Sequence, residues 1–552
     1  MPFYGNDNQR PRGSFLMRSK ILLILVIAAV IFSSCTGKAP VSVITSTTTP
    51  TQGNPPTSRP PATLKTASLA PTTPVPAVTN APPAQNGFID PVKIDSGYIS
   101  GALIGESGKE VTIYKGIPYA APPVGDLRWK APQPPASWSG VRQCVEFSHI
   151  APQPLVTPGL TQDEDCLYLN VLTPAKTTAE KFPVMVWLHQ GGYSQASGNE
   201  AVVNLPRLPR NGIVLVTVNM RLGALGLLAH PLLDKESPNG VSGNYLFLDI
   251  IASLKWVQSN IAVFGGDPAN VTIFGLSGGG AKVTQMMVSP LAKGLFQRAI
   301  AESGTSIIPD SPAATLNDVE ALGKRFFTKL GVDNSADPLK SARALPWQQI
   351  LKADLAANPS GSGLAIGAVD GWFLPDTPVN LVKSGKMNAV PFIALTSLGE
   401  LAGTSPTGIY PYIPAADAWV LDALDKAGVK GYACLFDYVP DKWRQEGMTA
   451  VHTLERNYVF GDWDNQSAWT DGYYSKFSPY LPSLVKDPGL NEVDRKVSET
   501  MMAMWTRFAK TGDPNIPGLA SWPAYQASTD RYLYINEGLN VKSGFSALPE
   551  MK

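Results

Sequence analysis

A run of β-branched and aromatic residues, Val271-Thr272-Ile273-Phe274, passes directly into Gly275-Leu276-Ser277-Gly278-Gly279-Gly280. The apolar run reads as a buried strand, and the residues after it read as the start of a helix. Between them stands the pattern G-x-S-x-G. Small residues on both sides of Ser277 permit a turn tight enough to lift its hydroxyl above the edge of a sheet. The helix N-terminus behind the serine favours negative charge that develops beside it. The pentapeptide alone occurs by chance in many chains, where it is a glycine-rich turn without chemistry. Its place between a strand and a helix is what constrains this fold.

Other continuous apolar runs are Val184-Met185-Val186-Trp187-Leu188, Ile213 to Val218, and Val390 to Leu395. Such runs mark strands covered on both faces. Helical stretches such as Asp249 to Ile261 lie between some of them. The alternation predicts an α/β architecture, a mostly parallel central sheet with helices on both faces. Directly after the Val184 run comes His189-Gln190-Gly191-Gly192-Tyr193. Glycine amides at such a turn can converge on one point. With the amide of Gly278, those of Gly191 and Gly192 would form a three-donor oxyanion hole.

A serine nucleophile needs a base, and the chain order for this arrangement is serine, acid, histidine. The histidines stand at 149, 189, 230 and 452, and His452 alone follows Ser277. Several carboxylates lie between the two. Glu400, just past a hydrophobic strand, is the leading candidate, and Asp437, after a second such run, is its rival. The acid would orient the imidazole and stabilise the imidazolium.

Composition excludes several other classes. Lys+Arg number 45 and Asp+Glu 44, a balance that gives no footing for nucleic acid. The cysteines, Cys35, Cys144, Cys166 and Cys434, have no metal-ligand spacing, so neither metal nor cofactor is expected. Gly105 to Lys109 (GESGK) vaguely suggests a phosphate loop but lacks the full spacing.

The N-terminus carries an address. Ile21 to Ser33 is an apolar run too short to span a membrane, preceded by Arg18 and Lys20. It reads as the core of a secretory signal over residues 1–34, with Met17 as an alternative start. Phe32-Ser33-Ser34-Cys35 resembles a bacterial lipobox, after which Cys35 would be lipidated. Residues 35–87 are rich in Thr, Pro, Ser and Ala, a composition that does not fold and acts as a spacer. A folded body over 88–552 follows. The expected location is extracytoplasmic, with the chain lipid-anchored to the bacterial cell envelope.

The body resembles the type-B carboxylesterases, the group of the para-nitrobenzyl esterases and cholinesterases. The resemblance rests on Tyr114 to Trp129 (YKGIPYAAPPVGDLRW), Glu164 to Val171 (EDCLYLNV), Val218 to Gly226 (VNMRLGALG), Phe264 to Pro268 (FGGDP) and Trp505 to Asn515 (WTRFAKTGDPN). Leu395 to Leu401 (LTSLGEL) resembles the family's glutamate loop, and Ala450 to Phe460 (AVHTLERNYVF) its histidine segment. It implies the α/β-hydrolase fold, serine ester hydrolysis, and Glu400 over Asp437. It also implies ion pairs Arg128–Glu164 and Arg221–Asp267, a Cys144–Cys166 disulfide with Cys434 free and buried, and Ser303 as a second serine near the triad.

Three departures from the family pattern bear on substrate. Gln190 replaces the first of three glycines, and its side chain would narrow the pocket or offer a hydrogen bond. Leu276 replaces the glutamate before the nucleophile, which argues against cationic substrates. Glu400 and His452 lie closer in sequence than is usual, which predicts a reduced helical cap and an open site for bulky esters. Tyr193 is a further pocket candidate. The competing reading is a non-catalytic adhesion or binding module on the same fold. Amide, lactone or carbamate hydrolysis by the same residues is not separable at this level.

Overall fold

The computed structural model describes residues 89–154, 156–357, 367–401, 412–465 and 487–548. The strands in chain order are β1 (Val92–Ile94), β2 (Gly97–Ser100), β3 (Ala102–Ile104), β4 (Val111–Pro118), β5 (Val141–Gln143), β6 (Tyr168–Thr173) and β7 (Phe182–Leu188). They continue with β8 (Val214–Val218), β9 (Gly266–Leu276), β10 (Arg298–Glu302), β11 (Phe392–Ser397), β12 (Gly431–Phe436), β13 (Arg531–Ile535) and β14 (Leu539–Ser543). β1, β2 and β5 form a small separate sheet, and the other eleven form one sheet in the order β14-β13-β12-β11-β10-β9-β7-β8-β6-β4-β3.

From β8 to β13 neighbouring strands run parallel. The pairs at the two ends of the sheet are antiparallel. The sheet is therefore mixed, parallel in the middle where the sequence shows its continuous apolar runs. The period of two in a strand explains those runs. Val184, Val186 and Leu188 of β7 enter one core, while Met185 and Trp187 enter the other. In β9, Val271 and Ile273 face the first core, and Phe274 and Leu276 face the second. Helices cover both faces, among them Tyr245–Asn260 and Glu492–Thr511. This is an α/β-hydrolase fold. The parallel strands all deliver their C-terminal ends to one edge, where ligand sites of open α/β sheets collect.

Two expectations are corrected. Arg221 pairs with Asp249, not Asp267. Its Nε and terminal nitrogen donate to the two Asp249 oxygens at 2.8 and 2.6 Å, and both side chains are buried. Arg221 lies just past the C-terminal end of β8, whereas Asp267 sits at the N-terminal start of β9. Both strands run parallel to β7, so the two residues are separated by the height of the sheet. Asp267 instead accepts the Ala269 amide at 3.0 Å in a local turn. The other expected pair is present, with Arg128 Nε and its neighbour donating to Glu164 at 2.7 and 2.5 Å.

The disulfide is the second correction. Cys144 and Cys166 are unbonded, buried thiols. Each is held by its own backbone: the Cys144 amide and carbonyl bond to Ser100 and Lys115, and Cys166 lies in the turn between Glu164 and Tyr168. Burial pushes the Cys144 thiol up to about 12 and the Cys166 thiol well above its ordinary range. Cys434 is also a free buried thiol, on β12 as its apolar neighbours suggest.

Asp249→Ala leaves a buried guanidinium without its partner and should cost about 3–5 kcal/mol. Asp267→Ala removes one exposed turn bond and should cost about 1 kcal/mol or less. Urea unfolding of the two variants distinguishes the observed pairing from the expected one.

Candidate active site

β9 ends at Leu276, and the helix Gly278–Val288 begins immediately, so Ser277 makes the whole turn. Its backbone stands at φ 57°, ψ −121°, a region L-residues rarely adopt, at a cost of about 1–3 kcal/mol. The surroundings hold it there. The Ser277 amide donates to the Glu302 carbonyl at 2.7 Å. A Cβ at position 278 would lie 2.4 Å from the Gly192 backbone, and one at position 304 would lie 2.0 Å from the Ser277 carbonyl oxygen. Only glycine fits at either place, which is why the turn is written in glycines.

Glu400 lies in the short turn Leu398–Leu401 directly after β11. His452 sits in a loop tied to that turn by a bond from the Gly399 amide to the Ala450 carbonyl, 2.9 Å. Nε2 of His452 is 2.8 Å from Ser277 Oγ, and Nδ1 is 2.8 Å from Glu400 Oε1. A carboxylate only accepts, so Nδ1 carries the ring proton and Nε2 is free to accept from the serine hydroxyl. Burial alone would push the imidazole pKa down, but the charge and hydrogen bond of Glu400, with Glu455 behind them, outweigh it and the net shift is upward. Asp437 is engaged elsewhere, accepting from the Tyr534 hydroxyl at 2.5 Å. Two other histidines are also occupied. His189 bonds the Gln190 carbonyl at 2.9 Å, and His230 caps a helix by accepting the Leu232 amide at 3.1 Å.

Local bonds orient the peptides of the loop after β7. In a trans peptide the N–H points opposite to the preceding C=O. The Gln190 carbonyl accepts from His189 Nδ1, which turns the Gly191 amide the other way. The Gly191 carbonyl accepts from the amides of Ser194 and Gln195 at 3.3 and 3.1 Å, which does the same for Gly192. Gly191 stands at φ 86°, and a Cβ there would lie 2.3 Å from the Gln195 carbonyl. No protein acceptor is present for the Gly191 and Gly192 amides among the described residues.

The remaining predicted residues separate. Ser303, at φ 48°, donates to Glu455 Oε1 at 2.6 Å, behind the histidine. Leu276 is fully buried in the core. Gln190 donates to both oxygens of Glu200 at 3.1 and 2.9 Å, and Arg456 donates to the same carboxylate at 2.9 Å. Its side chain thus bonds sideways to an ion pair. Tyr193 packs edge-on against Phe247 with ring centres 5.4 Å apart. The expectation of an open site falls partly on residues 402–411 and 466–486, which lie outside the described residues.

Sequence reading missed five charged residues here: Glu302, Glu455, Glu200 with its partner Arg456, and Lys282. The signal was present for one of them. Lys282 is the single charged residue in the run Gly278 to Val288 (GGGAKVTQMMV).

Burial, with the charge of Glu455, pushes the Glu302 carboxyl up to about 8, while Trp505 Nε1 donates to Glu302 Oε1 at 2.7 Å. A raised acid pKa means the folded state keeps a proton that the unfolded chain releases. Its contribution to stability is present at low pH and lost as pH rises toward about 8. Glu302→Gln keeps the tryptophan bond without the charge. It should match the parent in melting temperature at pH 5 and exceed it at pH 9, as differential scanning calorimetry would record.

The sequence matches the Carboxylesterase family over residues 90–409 and 408–548. It is 33% identical over 484 residues to fumonisin B1 esterase of Sphingopyxis macrogoltabida, covering 77% of this chain and 84% of that protein. It is 31% identical over 497 residues to para-nitrobenzyl esterase of Bacillus subtilis (strain 168), covering 80% and 95%. Carboxylesterase 5A of Canis lupus familiaris is 30% identical over 521 residues, covering 81% and 85%. The chain thus belongs to the carboxylesterase family, in its type-B branch, and is a hydrolase of carboxylesterase type.

Proposed function

We propose that Ser277, His452 and Glu400 form the catalytic triad, and that the amides of Gly191, Gly192 and Gly278 form the oxyanion hole. The observation that carries the reading is the unbroken line of two hydrogen bonds, 2.8 Å each, from hydroxyl to imidazole to carboxylate. Ser277 Oγ attacks the ester carbonyl as His452 Nε2 takes its proton, and the carbonyl oxygen becomes an oxyanion held by the three amides. Glu400 stabilises the imidazolium. His452 then protonates the departing alcohol and leaves an acyl-serine. Water, deprotonated by the same imidazole, repeats the addition and releases the acid. The substrate is a small or bulky carboxylic ester without a cationic group, since Leu276 puts no carboxylate beside the serine. The relatives named for fumonisin B1 and for para-nitrobenzyl esters support a tolerance for large leaving groups.

Hydrolysis of para-nitrophenyl esters from C2 to C12 tests the nucleophile. Ser277→Ala should lower kcat by about 10⁶-fold at unchanged folding. Retained activity in Ser277→Ala would remove the triad reading, and a folded parent inactive on the whole series would favour the binding-module reading. The base must be neutral to act, and its net shift is upward, so kcat/KM should fall off on the acid side above pH 6.5. Glu400→Gln should move that limb to lower pH and cut kcat by about 10⁴-fold.

We further propose that residues 1–34 are a signal peptide, that Cys35 is lipidated, and that residues 35–87 are a spacer tethering the body of 88–552 outside the cytoplasmic membrane. The supporting features are the apolar run, the small residues before Cys35 and the Thr/Pro-rich composition. Residues 1–88 lie outside the described ones. In a bacterial host, Cys35→Ser should shift activity from the membrane fraction to the soluble fraction. Equal membrane retention of both forms would reject the tether.

A further inference from the structure

We infer that Lys282 is a positioning residue that ties the oxyanion loop to the nucleophile's own helix. The inference rests on the triad reading and deepens it. Lys282 is fully buried, near the start of the helix that Ser277 opens. Its Nζ donates to the His189 carbonyl and to the Gly192 carbonyl, 2.8 Å each. No carboxylate forms an ion pair with it among the described residues. The ring of Tyr193 lies 5.8 Å from Nζ and completes the enclosure.

The two carbonyls bracket the loop. Those of Gln190 and Gly191, between them, are satisfied locally by His189 Nδ1 and by the Ser194 and Gln195 amides. Those local bonds set the direction of the Gly191 and Gly192 amides but do not fix the loop's distance from Ser277. Backbone packing of Gly278 on Gly192 limits how closely the two can approach, and the lysine holds them together, because its backbone is part of the helix that begins at Gly278. An oxyanion hole depends on donors held at about 3 Å from the developing charge, and a small displacement forfeits much of their effect.

A buried ammonium without a carboxylate is costly to the fold. Burial pushes its pKa down to about 7, the mark of a group kept where stability alone would not place it. The carbonyls it binds belong to the one loop whose position the chemistry needs. A purely structural role would show in stability alone and leave oxyanion binding unchanged.

The test is Lys282→Met in the full chain, which keeps the volume and removes both bonds. Expected are a kcat lower by about 10–100-fold, a KM within about threefold, and a melting temperature somewhat below that of the parent, because the two carbonyls lose their donor. An alkyl trifluoromethyl ketone forms a hemiketal with the serine and so places an oxyanion in the hole. Its inhibition constant should rise by the same factor as kcat falls. Lys282→Gln, which retains an N–H donor, should recover part of both losses. Parent-like kcat and ketone affinity in Lys282→Met overturn the inference, as does lost activity with ketone affinity unchanged. If Lys282→Met does not fold, Lys282→Gln is read by the same two measurements. Ser277→Ala separates the two readings: inactivity there beside full activity in Lys282→Met would sink the clamp and leave the triad standing.

Discussion

The structure depends on the backbone of Ser277, held at a positive φ that serine does not favour. A strained turn survives only where its neighbours leave no alternative. Here the constraint is mutual. Gly278 lies against the Gly192 backbone, and Gly304 lies against the Ser277 carbonyl. The nucleophile turn, the loop after β7 and the turn after β10 therefore occupy one close-packed cluster of backbone. Ser303, beside Gly304, has a positive φ of its own and bonds Glu455, so the strain is shared along the edge of the sheet.

The protein also buries charged groups, and they fall into two kinds. Arg128–Glu164 and Arg221–Asp249 are buried pairs whose remaining donors reach backbone carbonyls, such as Arg221 to Lys130 at 2.8 Å. They hold loops to the frame. Glu302 and Glu455 are different, since burial raises both and neither forms an ion pair with Lys or Arg among the described residues. Glu455 accepts from Ser303 and Ser397, and Glu302 from Trp505, so each is anchored by neutral donors. Glu400 is the acid in direct contact with His452, and Glu455 acts on the ring from behind it.

Much of this was legible in the chain. The continuous apolar runs identify the parallel centre of the sheet because a strand covered on both faces has no polar side. Ser277 was legible from the strand, the turn and the helix start in immediate succession. Chain order left His452 as the candidate base, and its Nε2 lies 2.8 Å from Ser277 Oγ. The family likeness selected Glu400 over Asp437, which residue type and strand position alone left open. The same likeness misled for Cys144–Cys166 and for Arg221. A shared motif carries residue types across a family, but it does not carry the partner that a given arginine or thiol meets. Asp249 lies on the helix Tyr245–Asn260 within an apolar stretch, and nothing in its spacing points to Arg221.

By itself the sequence determined the class of fold, the strand, turn and helix start around Ser277, and His452 as the one histidine that follows it, because each is written in contiguous residues or in a count. Tertiary structure alone decided which acid meets that histidine, which carboxylate answers Arg221, that the cysteines stay apart, and that Lys282 reaches the loop ninety residues before it. The physical reason is common to all four. Each is a contact between side chains or carbonyls on different elements, set by how sheet, helix and loop stack, and local propensity carries no record of that stacking.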